Sequence, residues 1–219
     1  MDAKMTDKNF KSADLKGKFI VLDGPDGAGK TTQLDMLEKH LQQSGLQVVR
    51  AVDPGGTQTG QAIRNILLHS KELDLMPMCE MMLFMASRAQ LIGEIILPAM
   101  RAGKVVLADR FISATLAYQG ALGIDKNMIL EIGERAISGN WPDFTICLDV
   151  PVEVGMTRVG KNRDRMESRT SDYHQKVRQA FSELGSEKNP YPGKVIHISA
   201  AGEISEIHDA IKTAIQTEM

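Results

Sequence analysis

Lys18-Phe19-Ile20-Val21-Leu22-Asp23-Gly24-Pro25-Asp26-Gly27-Ala28-Gly29-Lys30-Thr31-Thr32 is the segment from which the class of fold can be read. It opens with a short apolar run of the kind that forms a buried parallel strand. The run breaks into Gly24-Pro25-Asp26-Gly27-Ala28-Gly29-Lys30-Thr31, which satisfies the eight-position pattern of a phosphate-binding loop. From Lys30 the apolar positions fall at Leu34, Leu37 and Leu41, a helical spacing that Gly45 ends. Each fixed position in the loop has a physical job. Glycines admit positive φ and let backbone N–H groups approach phosphate oxygens closely. Lys30 brings a point charge to the β- and γ-phosphates, and the Thr31 hydroxyl suits Mg²⁺. The helix that starts at Lys30 adds the positive end of its dipole. The expected ATP-binding residues are therefore Gly24, Asp26, Gly27, Ala28, Gly29, Lys30, Thr31 and Thr32, with Thr31 on the metal.

Outward from this segment, strands and helices alternate. Leu46 to Val52, Val105 to Ala108, Phe144 to Val150 and Val195 to Ile198 read as four more strands. Helical patterns run over Gln58 to His69, Pro77 to Met100, Ser113 to Gly120, Asp125 to Ser138 and Ser171 to about Leu184. A last helix reaches Thr217. Five strands separated by helices predict an α/β fold, a five-stranded parallel sheet with helices on both faces.

A chain of 219 residues with 42% hydrophobic content can bury one substantial core. The expected organisation is a loose polar tail over residues 1–16 and a single domain over 17–219. A net charge of −2 gives no basis for binding a nucleic-acid polymer or an anionic membrane. Cys79 and Cys147 are far apart and lack metal-ligand spacing, so they read as reduced thiols. No apolar run approaches the roughly 18 residues of a bilayer span, and the N-terminus lacks the apolar stretch of a secretion signal. The expectation is a soluble, cytoplasmic protein.

A phosphate loop reports nucleotide binding, and transfer needs an acceptor site and added positive charge. Asp109-Arg110 ends the third strand, where ligands gather in open α/β sheets. Arg110 there can bridge donor and acceptor phosphates while Asp109 orients it or meets the metal; a structural salt bridge is the plainer alternative. Phe84 and Arg88 are four apart on the long helix and share a face. They suit a nucleobase, or equally a core ring beside a surface arginine. Met78, Met81, Met82 and Met85 follow helical spacing and read as packing or a helix–helix dimer contact. Arg158, Lys161, Arg163, Arg165 and Arg169 crowd residues 158–169, which is either a solvated loop or a lid that carries an arginine to the γ-phosphate. Arg165 is the expected choice.

The residues together resemble thymidylate kinase from Lys18 to about Gln216. The matching pieces are Gly24 to Thr32, Asp53-Pro54-Gly55-Gly56-Thr57, Phe84-Met85-Ala86-Ser87-Arg88 and Asp109-Arg110-Phe111. Further along come Ala117-Tyr118-Gln119-Gly120, Gly123-Ile124-Asp125, Leu148-Asp149-Val150 and Asp164-Arg165-Met166-Glu167. The resemblance implies a P-loop nucleoside-monophosphate kinase fold with a lid, and transfer of the ATP γ-phosphate to dTMP, giving dTDP and ADP with Mg²⁺ in dTTP synthesis. It implies that Phe84 stacks on thymine, that Arg88 donates to the base edge, and that Thr115 and Gln119 contact the base. Tyr118 would lie against the deoxyribose, Arg64 and Arg110 would hold the dTMP phosphate, Asp26 would lie near the 3′-hydroxyl or the metal, and Asp53 would belong to the acceptor site. With Lys30, Arg110, Arg165 and Asp109 as the catalytic set, the arginine-rich lid and arginine-free loop look like the bacterial arrangement. A homodimer is implied as well. Val52 stands where the family usually has a phosphate-gripping arginine, Asp53 where Glu is commoner, and Phe111 where Tyr is commoner; Arg50, Arg64 or Arg110 would have to compensate for Val52. The competing readings are a kinase for another nucleoside monophosphate or a deoxynucleoside, and a nucleotide-binding module without catalysis.

Overall fold

A computed structural model describes residues 12–70, 72–160 and 164–218 of the chain. Five strands, β1 (Phe19–Asp23), β2 (Val48–Val52), β3 (Val105–Asp109), β4 (Phe144–Asp149) and β5 (Lys194–Ser199), form one parallel sheet in the order β2-β3-β1-β4-β5. β1 is central: Ile20 stands opposite Leu107 of β3 on one side and Phe144 of β4 on the other. Its side chains alternate, so Phe19 and Val21 enter one core while Ile20 and Leu22 enter the other. Both faces are covered, which is why the strand reads as unbroken apolar sequence.

Nine α-helices are described. They are α1 (Lys30–Gln43), α2 (Gln58–Arg64), α3 (Pro77–Leu91), α4 (Leu97–Arg101) and α5 (Ile112–Tyr118), then α6 (Lys126–Ile137), α7 (Val152–Val159), α8 (Ser171–Ser182) and α9 (Ile204–Glu218). Leu34, Leu37 and Leu41 of α1 and Ile207, Ile211 and Ile215 of α9 fill one face. The opposite face holds the cluster around Phe84, Phe111, Ile112, Ile129 and Phe181 from α3, α5, α6 and α8. The strand order turns back at β1, so the crevice expected for a ligand lies beyond the carboxyl ends of β1 and β3.

Four details depart from the sequence reading. The long helical stretch is α3 and α4 joined by a π-turn at Ile92–Ile96, because Pro98 has no N–H for the carbonyl four residues back. A second π-turn, Asn65–His69, completes the segment after α2. Helix α7 was not expected; Pro151 at its start and Gly155 and Gly160 within and after it conceal the pattern. The tail also ends earlier than residue 16. Ser12–Leu15 form a 3₁₀ turn, and Leu15 is fully buried against the α1 face, so an apolar side chain draws this stretch into the core. The remainder of the tail, 1–11, lies outside the described residues.

Pro77–Arg101 is long and apolar enough to cross a membrane by length and composition alone, which corrects the expectation that no such run exists. In the fold it is a core helix. Glu80 and Arg88 are buried on its inner face with charged and polar partners, an arrangement that requires packing against protein.

Candidate active site

The loop between β1 and α1 is shaped by close backbone approach. Gly24 has φ 140, and a Cβ there would stand 2.3 Å from the Leu148 carbonyl oxygen. Gly27 has φ 74, and a Cβ would stand 2.1 Å from the Gly155 oxygen on α7. Gly29 also has positive φ but faces open space, so here the loop turns its backbone to the crevice. Gly27, Gly29, Lys30, Thr31 and Thr32 line a cleft of about 590 Å³. Gly24 and Ala28 do not line it. The Gly24 amide donates to Asp23 at 2.9 Å, and Ala28 is buried in the core beneath, so these two shape the loop.

Lys30 is folded onto its own loop, donating to the carbonyls of Gly24 at 3.0 Å and Pro25 at 2.8 Å. Burial, with Arg110 close by, brings its ammonium down from 10.5 to about 8. A polyphosphate would reverse that shift by supplying the missing negative charge. The expected pH profile follows: kcat/KM for ATP falls as pH rises above about 8, where the free protein loses the proton. In the ternary complex kcat stays flat to higher pH. Stability has its own sign: the penalty of the buried charge is full below about 8 and is relieved as pH rises toward 10.5, so unfolding free energy increases across that window. Coincident limbs for kcat and kcat/KM would rule out the assignment to Lys30.

Arg110 sits at the centre. It is one of two described non-glycine residues with positive φ, at 69°, a conformation that costs on the order of 1–3 kcal/mol. Its guanidinium bonds the Asp26 carboxylate, donates to the Gly24 carbonyl at 3.1 Å, and lies 5.1 Å from the Tyr118 ring centre. Burial alone would raise the Asp26 carboxyl, but Arg110 and Lys30 outweigh it and hold the group below the usual range. Behind them is fully buried Asp23, which accepts from Ser113 at 2.5 Å and from Arg110 at 3.5 Å. Asp109, at the end of β3, also lines the cleft.

On the far side the cleft is lined by Phe84, Arg88, Thr115, Tyr118 and Gln119, with Val52, Asp53, Pro54 and Arg64 closing the flank. Arg88 is 1% exposed and heavily engaged: Nε donates to Asp53 at 2.6 Å, Nη1 to Thr115 at 2.7 Å and Nη2 to the Phe111 carbonyl at 2.7 Å. Its guanidinium lies 5.7 Å from the Phe84 ring centre. Tyr118 lies buried beside the Asp26 carboxylate, and burial drives its phenol pKa well up, so it stays neutral. Arg50 does not take up the position that Val52 leaves without a charge. It pairs with Asp35 at 3.0 Å and Glu38 at 3.3 Å. Arg64 reaches the flank and donates to the Pro54 carbonyl at 2.8 Å.

The basic segment places its arginines differently from the sequence expectation. Arg165 does not line the cleft; it donates to the Leu67 carbonyl at 2.8 Å and to Glu80 at 2.6 Å. Its neighbours Asp164, Met166 and Glu167 line the cleft instead, while Arg169 also binds Glu80 at 3.0 Å. Alternation along this turn sends the arginines outward to a buried carboxylate that charge clustering did not reveal. Among the described residues, Arg158, at the end of α7, is the arginine of this stretch that lines the cleft, 3.3 Å from the Gly27 carbonyl. Lys161 and Arg163 lie outside the described residues.

A family model for thymidylate kinase matches residues 22–211, most of the chain. The chain belongs to the thymidylate kinase family. The thymidylate kinase of Clostridium novyi is 39% identical over 202 residues, covering 90% of this chain and 97% of that protein. That of a Thermoanaerobacter species is 41% identical over 201 residues, covering 90% and 96%. The crystal structure of the Ehrlichia chaffeensis thymidylate kinase superposes with a TM-score of 0.72 at 30% identity, over 92% of this chain and 99% of that one. As a thymidylate kinase family member the chain is an ATP-dependent nucleoside-monophosphate kinase with the P-loop nucleoside-monophosphate kinase fold. Two buried acids behind the cleft wall, Asp23 and Glu80, were not among the expected site residues, and Arg158 was expected only as one of the basic residues of the lid. Asp23 had one signal, an acid closing an apolar strand directly before the loop; Glu80 had none beyond a lone acid among methionines.

Proposed function

We propose that the chain transfers the γ-phosphoryl group of ATP to dTMP, giving dTDP and ADP, as a step in dTTP synthesis. The observation that carries this is one continuous cleft with a phosphate loop at one end, a ring, an arginine and an amide at the other, and Arg110 between them. ATP phosphates lie on the loop amides and Lys30, with Thr31 and Thr32 at the start of α1. The thymine stacks on Phe84 and meets Arg88, Thr115 and Gln119, while Tyr118 and Asp26 meet the deoxyribose. Arg64 and Arg110 take the acceptor phosphate, and Asp53 acts by holding Arg88. Two anionic phosphates must approach in line, so the positive charge of Lys30 and Arg110 is the main chemical contribution. Arg158 is better placed than Arg165 to add charge at the loop, and Arg165 is assigned to anchoring the cleft wall.

Mg²⁺ fits the donor set. Among the described residues no cluster of three His, Cys, Asp or Glu could cage a metal, which suits an ion held by a hydroxyl, one carboxylate and the nucleotide itself. Thr31 would hold it, with Asp109 nearby, and when bound it would neutralise phosphate charge. A homodimer is supported by Leu73, Met76, Met78 and Met82, large apolar side chains left exposed on and before α3. Two free cysteines support a reducing, cytoplasmic location.

A coupled assay with ATP and Mg²⁺ over dTMP, dUMP, dCMP and UMP tests the acceptor. The highest kcat/KM is expected for dTMP; faster turnover of dCMP or UMP would reject it.

A further inference from the structure

We propose that Glu80 sets the pyrimidine preference of the acceptor pocket by fixing which end of the Gln119 amide faces the base. This rests on the dTMP reading above. Glu80 lies in the first turn of α3 and is fully buried. One carboxylate oxygen accepts from Arg165 at 2.6 Å and from Arg169 at 3.0 Å. The other accepts from Gln119 Nε2 at 2.8 Å.

Two guanidiniums donate to one oxygen of Glu80, and a carboxylate has only lone pairs to offer a third partner. Gln119 must therefore turn its nitrogen toward Glu80. Its carbonyl oxygen is then the end left for the cleft, and among the described residues no hydrogen bond reaches that oxygen. Gln119 itself is 1% exposed, so the little of it that is accessible meets the cleft and not the outer surface.

The consequence is a chemical filter. Thymine and uracil carry a hydrogen on N3 and can donate to a carbonyl oxygen. Cytosine carries a lone pair there, which the same oxygen repels, leaving two buried acceptors unpaired. Uncharged at residue 80, an amide could pair with either end of Gln119, and the filter would be lost. Glu80 is thus a positioning residue that acts through Gln119. Arg165 and Arg169 act one step further back, by holding the Glu80 carboxylate in place.

The test is Glu80→Gln, with kcat/KM measured for dTMP, dUMP and dCMP. The dTMP:dCMP ratio is expected to fall by about tenfold or more, the size of one hydrogen-bond choice. The dTMP:dUMP ratio is expected to stay unchanged, because both bases present N3–H. Gln119→Met should lower the same ratio, and adding Glu80→Gln to it should lower that ratio no further. If circular dichroism shows Glu80→Gln unfolded, Glu80→Asp provides the comparison, keeping the charge while drawing it back from Gln119. An equal loss for all three nucleotides, or an unaltered dTMP:dCMP ratio, would overturn the proposal. Wild-type protein that does not favour dTMP over dCMP would instead overturn the acceptor assignment on which it rests.

Discussion

Lys30→Ala is expected to lower kcat by on the order of 10³-fold, the range for removing a preorganised donor aimed at developing charge. The side chain is held by the Gly24 and Pro25 carbonyls before nucleotide arrives. Little reorganisation is then needed when the polyphosphate replaces them. Burial makes the charge more effective, because few waters remain to screen it. The loss should appear in kcat, read in the coupled assay at saturating ATP and dTMP, with a melting curve as the control for folding. A variant that is folded and turns over at a near-normal rate would remove the loop from the chemistry.

Arg88→Met is expected to cost about 3–5 kcal/mol of stability, the range for breaking a buried ion pair from one side. Asp53 is as buried as Arg88 and would keep its carboxylate with no counter-charge. Burial already pushes the Asp53 pKa up against the pull of Arg88, so the variant should take up a proton there on folding. For a domain of this size each kcal/mol moves the melting temperature by about 2–4 °C, so a fall of roughly 6–20 °C is expected. Adding Asp53→Asn should recover part of it, because the orphaned charge is then gone. A melting temperature within a degree or two of wild type would mean that water reaches Asp53 and that the pair is not a structural pin.

What could be read in the sequence and what could not divide along one line. The β1–loop–α1 unit was legible because its groups are neighbours in the chain, and glycine, lysine and threonine spacing states the geometry directly. The strands were legible from apolar runs, since both sheet faces are covered. Helix α7 was not, because a glycine in its middle lies where α7 meets the loop and breaks the apolar pattern. The Asp23 cluster joins residues 87 and 90 positions apart, and Glu80 reaches partners 39 and 85 positions away. No local spacing encodes such pairings. Arg165 shows the same limit from the other side: its charge was visible, but the direction of its side chain depends on a carboxylate contributed by another helix.

The mutual fit of Gly27 and Gly155 has a wider consequence. A Cβ on Gly155 would come 2.4 Å from the Asp26 carbonyl oxygen, just as one on Gly27 would strike Gly155. Backbone rests on backbone, with no side chain between to yield. The turn between β1 and α1 and the helix that leads into the basic segment are therefore in direct backbone contact, and a side chain at either glycine would have to push the two apart.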